Sequence, residues 1–183
     1  VDNAFLADRL SQSLDGRFAV LTCRSSHQEP VAICYRLGRV TKLGDLVTIE
    51  NRGFTRNPCA IVMTSGVLDF VFVCVHFKAG NKQEDEKRRS QEFKALDEMC
   101  AKWDKKYHGV IVAGDFNAQC VSEYCTTAKM HSTVNGSTKA EGADTSKVWD
   151  NVLVSDSLYG NVGEMRYHVV DGASFSDHLP VVT

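Results

Sequence analysis

The hydrophobic pattern divides the chain into one long helix, one shorter helix and a series of strands. Between residues 85 and 107, Phe93, Leu96, Cys100, Trp103 and Tyr107 recur at the helical period, and Gly109 follows the last turn. Lys87, Arg88, Arg89, Lys102, Lys105 and Lys106 fill the intervening positions and read as a solvated helix face. Residues 3–14 place Phe5, Leu6, Leu10 and Leu14 at the same period, with Gly16 at the exit. β-type runs then occupy residues 18–24, 31–37, 45–49, 59–64 and 68–77. The polar segment 25–30 joins the first two and Ser65-Gly66 the last two, both hairpin-like. Residues 67–76 are almost continuously apolar, as a strand covered on both faces would be. After the long helix comes a short buried strand, 110–113, ending in Gly114-Asp115. Residues 119–146 are polar and irregular, and further strands follow at 148–154, 165–170 and 179–182. Many strands with few helices at the flanks predict an α/β fold, a two-layer β-sandwich flanked by helices. With no internal repeat or low-complexity stretch, residues 1–183 read as a single domain.

Composition narrows the class. Hydrophobic residues make up 43% and charged residues 24% of the 183, which excludes a disordered chain. The net charge of −2 excludes a basic protein that coats nucleic acid nonspecifically. Any polyanionic substrate must therefore meet a local positive site or a bound cation. No apolar run approaches the ~18 residues of a membrane span, so no membrane partner is expected. The chain begins at Val1, with no basic-then-apolar leader, so its start was processed, cut away or left out. Seven cysteines without short regular spacing argue against a full disulfide framework. Cys34, Cys59 and Cys74 sit in apolar runs, where free cysteine acts as a small buried hydrophobe. Only Cys120 and Cys125 are close enough to suggest a local loop. A reducing compartment, cytoplasmic or nuclear, is favoured over secretion, although Asn135-Gly136-Ser137 is a glycosylation sequon.

Several residues carry candidate chemistry. Asp115 and Asn117 lie two apart at a strand end and offer a hard carboxylate and a neutral amide oxygen, suited to Mg²⁺ or Ca²⁺. The alternative is a turn held by Asx side chains. Ser176-Asp177-His178-Leu179-Pro180 sits at another strand boundary and is either a cleft edge or a surface turn. His76 closes the most apolar strand, as a core histidine or a reactive one. Asp150 lies in a strand, either in its core, where a carboxylate is costly unless paired, or at its edge facing water. Two histidines, three acids and an asparagine at strand ends are the set that phosphodiester hydrolysis needs: a base for water, charge to offset the transition state, and help for the leaving oxygen.

In their order along the chain, His76, Gly114-Asp115-Phe116-Asn117-Ala118, Asp150 and Ser176-Asp177-His178-Leu179-Pro180-Val181 resemble the endonuclease/exonuclease/phosphatase superfamily. The chain is most similar to its deoxyribonuclease I group, through Phe54-Thr55-Arg56-Asn57-Pro58, Glu29 and Cys120 three residues after Asn117. The resemblance runs from about residue 5 to the end. It implies a catalytic histidine pair, His76 and His178, around the scissile phosphate. Glu29 would orient His76, and Asp150 would partner the other histidine or border the phosphate. Asp115, Asn117 and Asp177 would bind the divalent metal and activate water. Arg56, with Asn117, would contact the DNA backbone phosphate.

The departures from the family are informative. Its first strand–helix–strand unit, with a metal-site asparagine and glutamate, has no counterpart here. His27 stands where an aromatic is expected, and Val121-Ser122 where a tyrosine is, with Tyr124 slightly too late, so the family's usual minor-groove contacts are not expected. Ser146-Lys147-Val148 replaces the cysteine that would pair with Cys120. The resemblance thus implies a deoxyribonuclease I-like domain without its front part, acting on DNA with Mg²⁺ (or Ca²⁺ or Mn²⁺). The rivals are a phosphodiesterase of RNA or phospholipid head groups and a non-catalytic binding module. Without interior strands, apolar faces at Val71, Val73 and Val112 are expected to be partly uncovered. The chain would then have little activity alone and would self-associate or need its missing segment. Glu29 or Glu123 would be the nearest replacement for the absent metal glutamate.

Overall fold

The computed structural model describes residues 8–9, 12–23, 31–119, 121–134, 138, 148–162, 168–169 and 181–182. Its centre is a seven-stranded mixed sheet. The strands are β3 (Thr41–Lys42), β4 (Val47–Thr48), β5 (Cys59–Ser65), β6 (Leu68–His76), β7 (Gly109–Asp115), β8 (Met130–Ser132) and β9 (Asp150–Ser155). They run β3-β5-β6-β7-β9-β8, with β4 also on β5. Two further antiparallel pairs are β1 (Phe18–Thr22) with β2 (Ala32–Arg36), and β10 (His168–Val169) with β11 (Val181–Val182). Helix α1 (Gln83–Asp104) connects β6 to the parallel strand β7, and α2 (Asp156–Val162) follows β9. Residues 8–9 and 12–13 are helical, inside the expected 3–14 segment.

The near-continuous apolar run in β6 serves two cores. Val71, Val73 and Val75 pack with Val110, Val112, Phe93, Leu96 and Cys100 between the sheet and α1. Phe70, Phe72 and Cys74 face the other way, with Ile61, Met63 and Ile111, against Leu21, Ile33 and Tyr35 of the β1–β2 hairpin. Side chains alternate along a strand, so each parity belongs to one core. This gives the expected layered α/β sandwich.

Several expectations need correcting. Val71, Val73 and Val112 are buried, because α1 lies across them. Cys59 is not a free thiol: it forms a disulfide with Cys23, which ties the end of the hairpin to the start of β5. Cys34 is exposed, because β2 turns only alternate residues, such as Ile33, to the core. Cys74 and Cys125 are buried and free, and burial pushes each thiol up to about 12. Tyr107 lies beyond the end of α1, in the turn before β7. The irregular region holds the 3₁₀ turn Val121–Tyr124 and β8, and α2 was not foreseen. These elements are too short for a periodic signal. Among the described residues, no helix is long and apolar enough to cross a membrane.

The disulfide closes a loop across 36 positions of sequence. Its removal should relax the unfolded chain by about 3–4 kcal/mol on loop entropy. Cys23→Ser should lower the melting temperature by roughly 10 °C, and reductant should leave the variant's melt unmoved. Coincident melts of wild type and variant without reductant would show that the bridge does not constrain the protein.

Candidate functional site

The site lies at the end of the sheet where β6 and β7 finish and β9 begins. Because β6 and β7 are parallel, His76 and Asp115 end up side by side as register partners. Because β9 is antiparallel to β7, its first residue, Asp150, is paired with Asp115 from the other side. The three residues form one row across three adjacent strands. Alternation places all three on the hairpin side, in line with Cys74, Ala113 and Val152. Of the two readings the sequence left open for Asp150, strand core or strand edge, the structure places it at a strand's first residue, half-buried.

Asp115 is held through one oxygen and lies beside His76 through the other. Oδ1 accepts the Asn117 backbone N–H at 2.7 Å, and Oδ2 is 3.8 Å from His76 Nε2. The Asx turn posed as the alternative to a functional reading is thus present, and it also positions the carboxylate beside the histidine. Asn117 takes the left-handed conformation (φ 48°), which asparagine tolerates. Its Nδ2 donates to the Phe77 carbonyl at 3.1 Å. Arg56 NH1 donates to that same carbonyl at 3.0 Å. Residues 56, 76, 115 and 117, from distant segments, thus converge around Phe77. Gly114 makes room: its φ is +145°, and a Cβ there would stand 2.0 Å from the Val75 carbonyl oxygen.

Two loops present Arg56 and follow His76, and α1 clamps both. Fully buried Glu92 accepts the Thr55 N–H and the Lys78 N–H, each at 2.8 Å. Arg88 donates to Thr55 Oγ1 and the Arg52 carbonyl, both at 3.0 Å. Arg89 donates to the carbonyls of Lys78 and Gly80. The expected solvated face of α1 is therefore, at Arg88 and Arg89, a loop clamp. Sequence reasoning missed Glu92. The available signal was an acid directly beside Phe93 and four before Leu96, on the apolar stripe itself.

Donor chemistry fits a hard divalent cation in kind, since Asp115 offers a carboxylate and Asn117 an amide oxygen. Among the described residues, no group of three or more His, Cys, Asp or Glu side chains is arranged to hold a metal. Glu29, Asp177 and His178 lie outside the described residues. Glu123 is exposed and lines, with Asn117, a cavity of about 640 Å³ on the α1 side of the sheet.

No family model and no curated protein matches the sequence. Solved structures do resemble the fold. D. rerio TDP2 in complex with a single-strand DNA product is similar at a TM-score of 0.68 and 12% identity, over 99% of this chain and 81% of that one. An endonuclease/exonuclease/phosphatase family protein from Bacteroides thetaiotaomicron gives 0.70 and 15%, over 97% and 78%. The human Nocturnin catalytic domain with bound sulfate gives 0.60 and 16%, over 85% and 67%. The chain therefore has the α/β sandwich fold of these proteins.

The clamp generates a prediction. Glu92→Gln replaces one accepting oxygen by an amide NH2 that faces a backbone N–H. It should destabilise the protein by about 2 kcal/mol. Hydrogen exchange should accelerate together at the Thr55 and Lys78 amides. Acceleration at neither amide would show that Glu92 does not hold the loops.

Proposed function

We propose that this protein hydrolyses phosphodiester bonds in nucleic acid with a divalent cation, with DNA as its first substrate and internal cleavage as its mode. The observation that carries the reading is the row His76–Asp115–Asp150 beside Arg56 and Asn117. Two carboxylates in register on neighbouring strands repel each other. Such a pair is stabilised by positive charge, which a protonated histidine, a cation or both can supply. A phosphate brought to this edge meets that same positive charge. The fold neighbours support the choice, since one of them was solved with a single-strand DNA product.

In this reading, His76 borders the scissile phosphate and holds or moves a proton at Nε2. Asp115 lies beside that ring at 3.8 Å. Arg56, anchored through NH1 on the Phe77 carbonyl beside Asn117, contacts the substrate phosphate. Asp150 borders the phosphate or supports the second histidine, His178, while Glu29 orients His76 and Asp177 joins the metal and water site. Asp115 and Asn117 would hold Mg²⁺, or Ca²⁺ or Mn²⁺ in its place. Bound there, the cation supplies charge neutralisation at the phosphate oxygens.

The test is hydrolysis of DNA, RNA, phosphoinositide and sphingomyelin in the presence of Mg²⁺. DNA should be cut, and His76→Ala should lower the rate ~10²–10⁴-fold, the usual worth of a positioned acid or base. Arg56→Ala should instead raise KM for DNA and flatten its salt dependence. Asp115→Ala should lose more of the chelator sensitivity than Arg56→Ala does. Turnover of none of the four substrates would sink the hydrolase. Nucleic-acid binding without turnover would favour the binding-module reading.

A further inference from the structure

We propose that the cavity beside Asn117 is a subsite for an unpaired nucleobase that carries an exocyclic amine. The inference rests on the phosphodiesterase reading and narrows its substrate to nucleic acid with at least one unpaired base near the cleaved bond. The cavity of about 640 Å³ shares Asn117 with the site but opens on the α1 side of the sheet, against Phe93. The His76–Asp115–Asp150 row lies on the other side. A substrate whose phosphate sits at that row would pass over Asn117 to place its next group in the cavity. The volume falls within the ~300–1,000 Å³ typical of small-ligand clefts.

The lining selects the occupant. Tyr124 and Trp149 both face the cavity. The Tyr124 ring stacks on buried Phe93, with centroids 4.5 Å apart and planes 14° apart, yet Tyr124 remains exposed. It is a platform fixed from below, which loses little freedom when a second ring stacks on it. The polar lining includes two exposed carboxylates, Glu86 and Glu123. Arg89, which also lines the cavity, is drawn to the Lys78 and Gly80 carbonyls. Carboxylates disfavour a second phosphate here, and they also disfavour an acyl chain. A flat, neutral ring with N–H donors on its edge satisfies both features. It stacks on tyrosine, and its amine donates to a carboxylate, as cytosine N4 does to acidic side chains. Cytosine, adenine and guanine carry such an amine; thymine and uracil do not. The base must be out of its pair to enter, so a single strand or a frayed end is the natural substrate.

Fluorescence anisotropy of labelled oligo(dC) and oligo(dT) in EDTA tests the subsite without turnover. Oligo(dC) should bind several-fold more tightly than oligo(dT). Tyr124→Ala should weaken oligo(dC) binding about tenfold, the order of one lost base stack, and Tyr124→Trp should restore it. Glu123→Gln, an isosteric change at an exposed position, should bring the two affinities together. Hydrolysis of bis(4-nitrophenyl) phosphate, which has no base, should be unchanged in both Tyr124 variants. Equal binding of oligo(dC) and oligo(dT) by the wild type overturns the proposal, as does an undiminished preference in Glu123→Gln. That second arm decides the matter if Tyr124→Ala does not fold. Failure of the wild type to hydrolyse any phosphodiester would sink the hydrolase reading, whereas the anisotropy arms would still decide the subsite.

Discussion

The candidate site depends on the burial of Phe77. Its ring lies in a cluster with Phe54, Phe93 and Phe116, its centroid 4.9–6.1 Å from theirs. Contacts of this kind add to the area buried and hold the ring in one orientation. Fixing the ring fixes the peptide groups on either side of it. The Phe77 N–H donates to the Asp115 carbonyl at 2.8 Å, extending the β6–β7 pairing one step past His76. The Phe77 carbonyl receives both Arg56 and Asn117. A single buried aromatic residue thus sets the mutual positions of the cationic side chain, the amide and the carboxylate strand. Phe116, between Asp115 and Asn117, anchors the same cluster from the other strand, so the two loop ends are not independently adjustable.

The electrostatics follow from that rigidity. Asp115 and Asp150 are held in register by backbone pairing and cannot separate without breaking the ladder at its end. Their side chains emerge from neighbouring strands at the end of the ladder. Two neighbouring carboxylates attract a cation, and His76 flanks them on the next strand. The clamp beneath, Glu92 on two backbone N–H groups, works by the opposite logic. Its charge is fully buried, and its oxygens accept hydrogen bonds from each loop it must hold. One pair of acids stands at the sheet's edge and one acid is consumed by structure. Only the register and the burial tell them apart.

That distinction explains what was legible in the sequence. The long periodic stretch 85–107 gave α1 to within a few residues at each end, and the apolar run 67–76 gave β6. Long elements advertise themselves because many residues repeat one period. β3, β8 and α2 are short and form on partners supplied by distant segments, so no local pattern marks them. The site residues His76, Asp115, Asn117, Asp150 and Arg56 were readable from motifs, and the structure brings them together. Glu92 was not, since an acid in a charged helix looks solvated unless its place on the apolar stripe is weighed. The Cys23–Cys59 bridge was also hidden. Cysteines 36 apart in two apolar runs carry no spacing signal, and only the packing of the hairpin on β5 brings them near.

The backbone of residues 114 to 117 carries the last step of the argument. At Gly114 the chain runs so close to Val75 that a methyl group would overlap its carbonyl oxygen. At Asn117 it turns into the left-handed region. Between these two unusual conformations, Asp115 faces the hairpin side while Phe116 goes down into the α1-side core. Asn117 then stands at the crossing, with its amide on the Phe77 carbonyl and its flank on the cavity of Tyr124 and Trp149. An ordinary strand end would have continued the alternation and left the two faces of the sheet separate. Here the glycine and the left-handed asparagine fold the strand end over the edge. The edge thereby joins a charged row on one face to an aromatic cavity on the other, the arrangement required if a phosphate and the group attached to it are to be recognised by different surfaces of one sheet.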